Sequence, residues 1–235
     1  MKILSWDVGI YNLSYCILEK VKETNENNED IEIIKIIGWD IVNLVDNEEM
    51  KKNRNLLFEN IPRKLYEIPE LLNVDIVIIE NQPSLKNPQM KSIQMILYSY
   101  FLILGKVIGD GNNKNHGYIN TIDFCSASNK LKIYDGPEIV LEKKTRKNEK
   151  KIIEIEEIKV EESKADENKT KKELNKKKGS SLKYSDKKKL AVEHAKYFLT
   201  KDNLNYLDFF NNNTKKDDLA DSYLQGLYYI KKNKI

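Results

Sequence analysis

Three short apolar runs open the chain. Residues 2–8 (KILSWDV) stop at Gly9, and residues 12–19 (NLSYCILE) resume the pattern, so the two read as strands joined by a tight turn at 9–11. The polar run 22–30 (KETNENNED) reads as a loop, and 31–42 (IEIIKIIGWDIV) as a third strand bent at Gly38. Together these predict an antiparallel meander. Over 48–68 the spacing turns helical, with Leu56, Leu57, Ile61, Leu65 and Ile68 on one face. Residues 74–80 (VDIVIIE) are nearly continuously apolar, as expected of a central strand buried on both faces. A long apolar helix covers 88–108, with Pro88 in its first turn, where a proline loses no intrahelical hydrogen bond. Residues 117–124 (GYINTIDF) predict a fifth strand.

The pattern then breaks. From about 138 to 183 the chain is mostly Lys, Glu and Asn with few aromatics. Such a stretch buries too little apolar surface to offset the entropy of ordering it. It reads as an insertion, disordered or partly helical, in a single domain spanning 1–235. Beyond it, 185–200 is an amphipathic helix with Leu190, Ala191, His194, Ala195 and Phe198 inward and Ser185 or Asp186 as N-cap. A last helix covers about 217–231. A meander followed by alternating helices and strands predicts an α/β fold with a mixed five-stranded sheet flanked by helices.

Composition changes this picture little. Of 235 residues 40% are hydrophobic and 33% charged, and the charge is concentrated in the insertion, which leaves enough Ile, Leu, Val, Tyr and Phe for a sizeable core. A net charge of +3 selects no partner by itself. Cys16 and Cys125 form neither a disulfide framework nor a zinc spacing, so both read as reduced structural thiols. With no signal peptide at the start and no apolar run of membrane-spanning length, the expected location is soluble and intracellular, with no membrane partner.

The chemistry lies in four carboxylates. Asp7 ends the first strand just before Gly9, where turn chemistry alone also accounts for an aspartate. Glu80 ends the most hydrophobic strand, a costly position unless it is paired, binds a cation or exits to solvent. In KKDDLADSYLQG (215–226), Asp218 and Asp221, three apart, share a helix face, and Asp217 and Asp221, four apart, are spaced to pair as well. First-turn dipole complementation explains Asp217 and Asp218 well, but Asp221 less well, since the apolar stripe of Tyr223, Leu224 and Leu227 follows it. Two strand-end carboxylates converging on a helical pair repel one another unless cations neutralise them. Oxygen-only ligands suit Mg²⁺ or Mn²⁺, and two such ions activate water against a phosphodiester. Lys86 and Lys91, at the start of the helix after ENQP, are placed equally well for a phosphate or for plain solvation.

The stretches WDVGIYNLSYCIL, VIIENQPSLKNPQMKSIQMILYSYF and KKDDLADSYLQG resemble the three acidic motifs of poxvirus-type Holliday-junction resolvases, relatives of bacterial RuvC and of fungal mitochondrial resolvases in the ribonuclease-H-like class. The resemblance covers nearly all the chain outside 138–183. It implies a ribonuclease-H-like fold and a metal-dependent endonuclease that nicks four-way DNA junctions symmetrically. Asp7, Glu80, Asp218 and Asp221 would hold two Mg²⁺ ions, with Mn²⁺ able to substitute. It also implies a basic residue ahead of the last carboxylates, for which KKKLAVEHA offers Lys188, flanked by Lys187 and Lys189 as DNA contacts. A two-fold junction suits a homodimer, and the apolar helix 88–108 is then its interface rather than only core. A viral source would place the protein in host cytoplasm. The departure is the insertion, whose basic end (171–189) reads either as a phosphate contact or as a solvated spacer.

Three other readings compete. An ATP-using enzyme of the actin and sugar-kinase class needs further glycine-rich loops, and this chain has nine glycines and no such loop. A ribonuclease-H-like nuclease acting on other branched or flap DNA stays open. A DNA-binding protein that has lost catalysis sits poorly with four retained carboxylates.

Overall fold

The computed structural model describes residues 1–24, 29–85, 87–108, 118–139 and 183–235. Strands β1 (Lys2–Val8), β2 (Asn12–Thr24) and β3 (Asp30–Asn43) form the expected antiparallel meander. Strands β4 (Ile76–Asn81) and β5 (Thr121–Ser126) add parallel to it, giving the sheet order β3-β2-β1-β4-β5. Around it lie α1 (Glu48–Lys52), α2 (Arg54–Tyr66), α3 (Pro88–Phe101), α4 (Tyr184–Asp202), α5 (Leu207–Asn212) and α6 (Lys216–Asn233).

The turn between β1 and β2 depends on Gly9. Its N–H donates to the Asn12 carbonyl at 3.1 Å, and a Cβ at Gly9 would lie 2.5 Å from that same oxygen. At Gly38 the expected bend is a bulge: Ile17 pairs with Gly38 but Leu18 pairs with Ile36, leaving Ile37 as the extra residue.

Several boundaries differ from the sequence reading. β2 runs to Thr24, because Lys22, Glu23 and Thr24 pair with Glu32, Ile31 and Asp30, and cross-strand ion pairs join Lys20 to Glu32 and Lys35 to Glu23. The helix expected over 48–68 is two helices, since the Asn53 side chain accepts from the N–H groups of Asn55 and Leu56 and so starts α2 afresh. The helix expected over 88–108 changes after Phe101 to a π-helical segment, Leu102–Val107. β5 starts at Thr121 rather than 117, its register being fixed by pairing with β4 from Ile76 onward. α4 begins at Tyr184, so Ser185 and Asp186 lie inside its first turn and do not cap it. Lys86, His116 and most of the predicted insertion (140–182) lie outside the described residues.

The chain divides into two compact units, Met1–Gly136 with Ala191–Ile235, and Pro137–Leu190. In the first, side-chain alternation in β1 and β4 separates two cores. Leu4, Trp6, Val77 and Ile79 face α2 and α3, packing with Leu57, Ile61, Leu97 and Phe101. Ile3, Ile76 and Ile78 face the other way, packing with Ala195, Leu219, Tyr223 and Leu224. The described part of the second unit includes the first turns of α4, where Lys188 Nζ lies 5.4 Å from the centre of the Tyr184 ring.

Candidate active site

The same alternation aims the strand-end carboxylates. β1 and β4 are parallel neighbours with Ser5 opposite Ile78 and Trp6 opposite Ile79, so the next pair along is Asp7 and Glu80. Both share the parity of Ile3 and Ile78 and face the α6 side of the sheet. Helix α6 is pinned closely there. Ser14 and Ser222 hydroxyls hydrogen-bond at 3.0 Å, Trp39 Nε1 donates to the Leu219 carbonyl at 3.1 Å, and Gln225 Nε2 donates to Ser5 Oγ and the Trp6 carbonyl, each at 3.1 Å. Gly226 permits the approach: a Cβ on it would sit 2.7 Å from Leu18 Cδ1 and 3.2 Å from Ser5 Cβ. This docking brings the first turns of α6, with Asp218 and Asp221, to the ends of β1 and β4.

At the centre of the cluster stands a residue that the sequence reading missed. Lys130 Nζ lies 2.5 Å from Asp221 Oδ2 and 3.3 Å from both Asp7 Oδ1 and Glu80 Oε1. It belongs to a 3₁₀ segment, Ala127–Ile133, directly after β5. Because Glu80 pairs with Cys125 and Asn81 with Ser126, the chain leaving β5 emerges beside Glu80. The one sequence signal was a lysine just beyond the end of a parallel strand, and ASNKLKI reads locally as an ordinary polar turn.

The electrostatics are those of a charge-crowded, poorly solvated site. Burial pushes the Asp7 carboxyl up to about 8, Lys130 pulling it down while Glu80 and Asp218 push it further up. Lys130 is opposed by its burial, yet Asp7, Asp221 and Glu80 hold its ammonium charged well above the ordinary lysine range. Glu80 Oε2 accepts from Gln82 Nε2 at 2.6 Å and from the Val8 N–H at 3.4 Å.

Among the described residues no three carboxylate, imidazole or thiolate groups already stand as a ligand set for one ion. The donor chemistry nonetheless fits a hard divalent cation. The groups are all carboxylates, and they are crowded enough that Asp7 holds a proton far above its usual range and a lysine is drawn in among them. His194 takes no part in this cluster; its ring stacks on Tyr134 at 4.0 Å and 3° within the core, as its inward position predicted. Both cysteines are free and buried.

The predicted basic residues fall in different places. Lys91 is next to the site's supporting loop, its Nζ 3.2 Å from Asn81 Oδ1, 3.1 Å from Gln94 Oε1 and 5.6 Å from the centre of the Phe124 ring. Lys187, Lys188 and Lys189 lie in the first half of α4, within the second unit.

A five-stranded mixed sheet in this order, with carboxylates at the ends of its two central parallel strands and on the helix packed across them, is a ribonuclease-H-like α/β fold. Residues 3–95, which include Asp7 and Glu80, match the family model described as mitochondrial resolvase Ydc2 / RNA splicing MRS1. The fold is shared with the yeast mitochondrial Holliday junction resolvase Ydc2, at a TM-score of 0.51 and 15% identity, covering 97% of this chain and 78% of that one. It is shared equally with the fowlpox virus resolvase solved with its substrate Holliday junction DNA, at 0.50 and 18%, covering 99% of each chain. The resemblance carried by the acidic motifs is thus present in fold as well. Protein L451 of Acanthamoeba polyphaga mimivirus is 33% identical over 177 residues, which is 73% of this chain, and the chain spans 33% of that protein's length. Among the described residues no helix is long and apolar enough to cross a membrane.

Proposed function

We propose that this chain is a metal-dependent DNA endonuclease that resolves Holliday junctions, nicking four-way DNA symmetrically. The observation that carries this reading is the convergence of Asp7, Glu80 and Asp221 on Lys130, with Asp218 close enough to raise the Asp7 carboxyl. A nuclease needs such a cluster of anionic ligands at the rim of a rigid sheet, whereas a purely structural site gains nothing from burying carboxylates together.

Asp7, Glu80, Asp218 and Asp221 would hold two Mg²⁺ ions, or Mn²⁺ in their place. Ions bound there supply an activated water and offset charge on the leaving oxygen of the phosphodiester. The chain's own groups do the rest. Asp7 and Glu80 are fixed by the ends of two central strands, and Asp218 and Asp221 by a helix hydrogen-bonded to that sheet. Lys130 holds Asp7, Glu80 and Asp221 together and is a cation placed for the scissile phosphate. Lys188 is a second candidate for that phosphate contact, and Lys86, Lys91, Lys187 and Lys189 are proposed as contacts along the DNA backbone.

A two-fold junction calls for two sites, and we assign the partner surface of a homodimer to α3 and its π-helical extension, where Met95, Ile103 and Val107 are exposed apolar residues. The proposed setting is soluble and intracellular, in host cytoplasm where the source is a virus.

The reading is tested by incubating a labelled four-way junction with the protein in Mg²⁺ or in chelator, beside Asp7→Asn. Cleavage in Mg²⁺ alone, lost with the substitution, supports it. Undiminished cleavage in chelator or by Asp7→Asn removes the carboxylate cluster from the reaction, and cleavage confined to flap or other branched DNA keeps the metal chemistry but replaces the substrate.

A further inference from the structure

Two buried glutamines behind the carboxylate cluster have no packing explanation. Gln82 is 7% exposed and Gln94 fully buried, yet neither is replaced by the apolar residues that surround them. Gln82 Nε2 donates to Glu80 Oε2 at 2.6 Å, while the backbone N–H of Gln82 donates to Gln94 Oε1 at 2.8 Å. Gln94 Oε1 also accepts from Lys91 Nζ at 3.1 Å, and Lys91 Nζ reaches Asn81 Oδ1 at 3.2 Å. Gln94 Nε2 is buried with no hydrogen-bond partner among the described residues, a cost retained for the sake of the acceptor at the other end of the amide.

We propose that Gln82 and Gln94 are positioning residues for Glu80, forming a neutral clamp that turns one carboxylate oxygen toward the cation side of the site. The inference rests on the metal-nuclease reading above. β4 ends at Asn81, so Gln82 is the first residue beyond the strand. Gln94, held in α3, fixes the backbone of Gln82 as it leaves the sheet, and that fixed backbone aims the Gln82 amide back at Glu80 Oε2. Oε1 is left facing Lys130. An amide suits this task where a lysine would not. It satisfies one oxygen and fixes the carboxylate's orientation without cancelling the charge a divalent cation needs. The amide orientation at Gln94 follows from the same logic, since a flipped amide would turn its NH₂ toward the Gln82 N–H and the Lys91 ammonium.

The test compares wild type with Gln82→Leu, Gln94→Leu and Gln94→Glu, titrating each with Mn²⁺ by electron paramagnetic resonance. The Mg²⁺ dependence of junction cleavage and junction binding in chelator are measured alongside. The clamp predicts that Gln82→Leu and Gln94→Leu raise the Mn²⁺ concentration for half-saturation roughly ten- to hundred-fold, as loss of an outer ligand support does elsewhere. Junction binding in chelator stays unaltered. Gln94→Glu, which keeps the acceptor and can pair with Lys91, recovers most of what Gln94→Leu loses. Should Gln94→Leu fail to fold, Gln82→Leu decides the matter by itself. A folded Gln82→Leu that binds Mn²⁺ like wild type overturns the clamp alone, whereas wild type that binds no Mn²⁺ overturns both the clamp and the metal reading beneath it.

Discussion

Lys130 costs the fold twice, once in its own desolvation and once in the constraint it puts on three carboxylates. Removing it takes away the cation that links Asp7, Glu80 and Asp221 among the described residues. Lys130→Met therefore destabilises the chelated protein by on the order of 3 kcal/mol in urea denaturation. Saturating Mg²⁺ narrows that gap, because a bound cation replaces the lost charge. An unchanged midpoint in chelator would mean that the lysine is a bystander. His194 governs a different property. Burial lowers its imidazole to about 4 from the ordinary 6.5, and its Nδ1 has no partner in the core among the described residues. The unfolded chain takes up this proton near pH 6.5 and the folded chain only near 4, so stability falls as the pH drops across that interval and levels off below it. His194→Phe should remove on the order of 2 kcal/mol of that acid sensitivity, seen as a flatter plot of melting temperature against pH between 7 and 4. Equal slopes for the two proteins would place the sensitivity in other groups.

At the scale of elements, the site depends on how closely α6 approaches the sheet. Gly226 lies one residue beyond Gln225, whose amide bonds the backbone of β1, and a side chain there meets Leu18 and Ser5. Gly226→Val lifts the helix, costing about 1–3 kcal/mol of stability. It should lower cleavage out of proportion to the fraction unfolded, because Asp218 and Asp221 move with the helix. Activity that tracks only the folded fraction would show the carboxylates tolerate the shift. The elements also show which features were legible in the sequence. The ends of two apolar runs marked out Asp7 and Glu80, and helical spacing placed Asp218 and Asp221 together, since each depends only on the local pattern; that Asp7 and Glu80 share a face comes from the register of β1 with β4. Lys130 was not legible, because nothing near it differs from a polar turn. Its role comes from the parallel pairing of β4 with β5, which delivers residues 127–133 beside Glu80. The helix boundaries slipped for a similar reason: Asn53 looks unremarkable until its side chain is seen capping α2.

For the whole molecule, the order of runs along the chain sufficed to give a meander and a mixed five-stranded sheet, because short connections leave few ways to lay such elements on one sheet, while the parallel pairing of β4 with β1 and β5 is read from the structure. Symmetry is a separate matter. If α3 and its extension join two copies, Ile103→Glu and Val107→Glu should shift the sedimenting species from dimer to monomer while leaving the Mn²⁺ titration of each site unaltered. A wild-type monomer at working concentrations would move the interface elsewhere or abolish it. The central claim concerns what the proposed site recognises. It is tested most directly by end-labelling each strand of a four-way junction, and of a linear duplex with the same arm sequence, and mapping the cuts made in Mg²⁺. The account predicts paired nicks at symmetry-related positions in the junction and none in the duplex. Equal cutting of both, or a single unpaired nick in the junction, would contradict it.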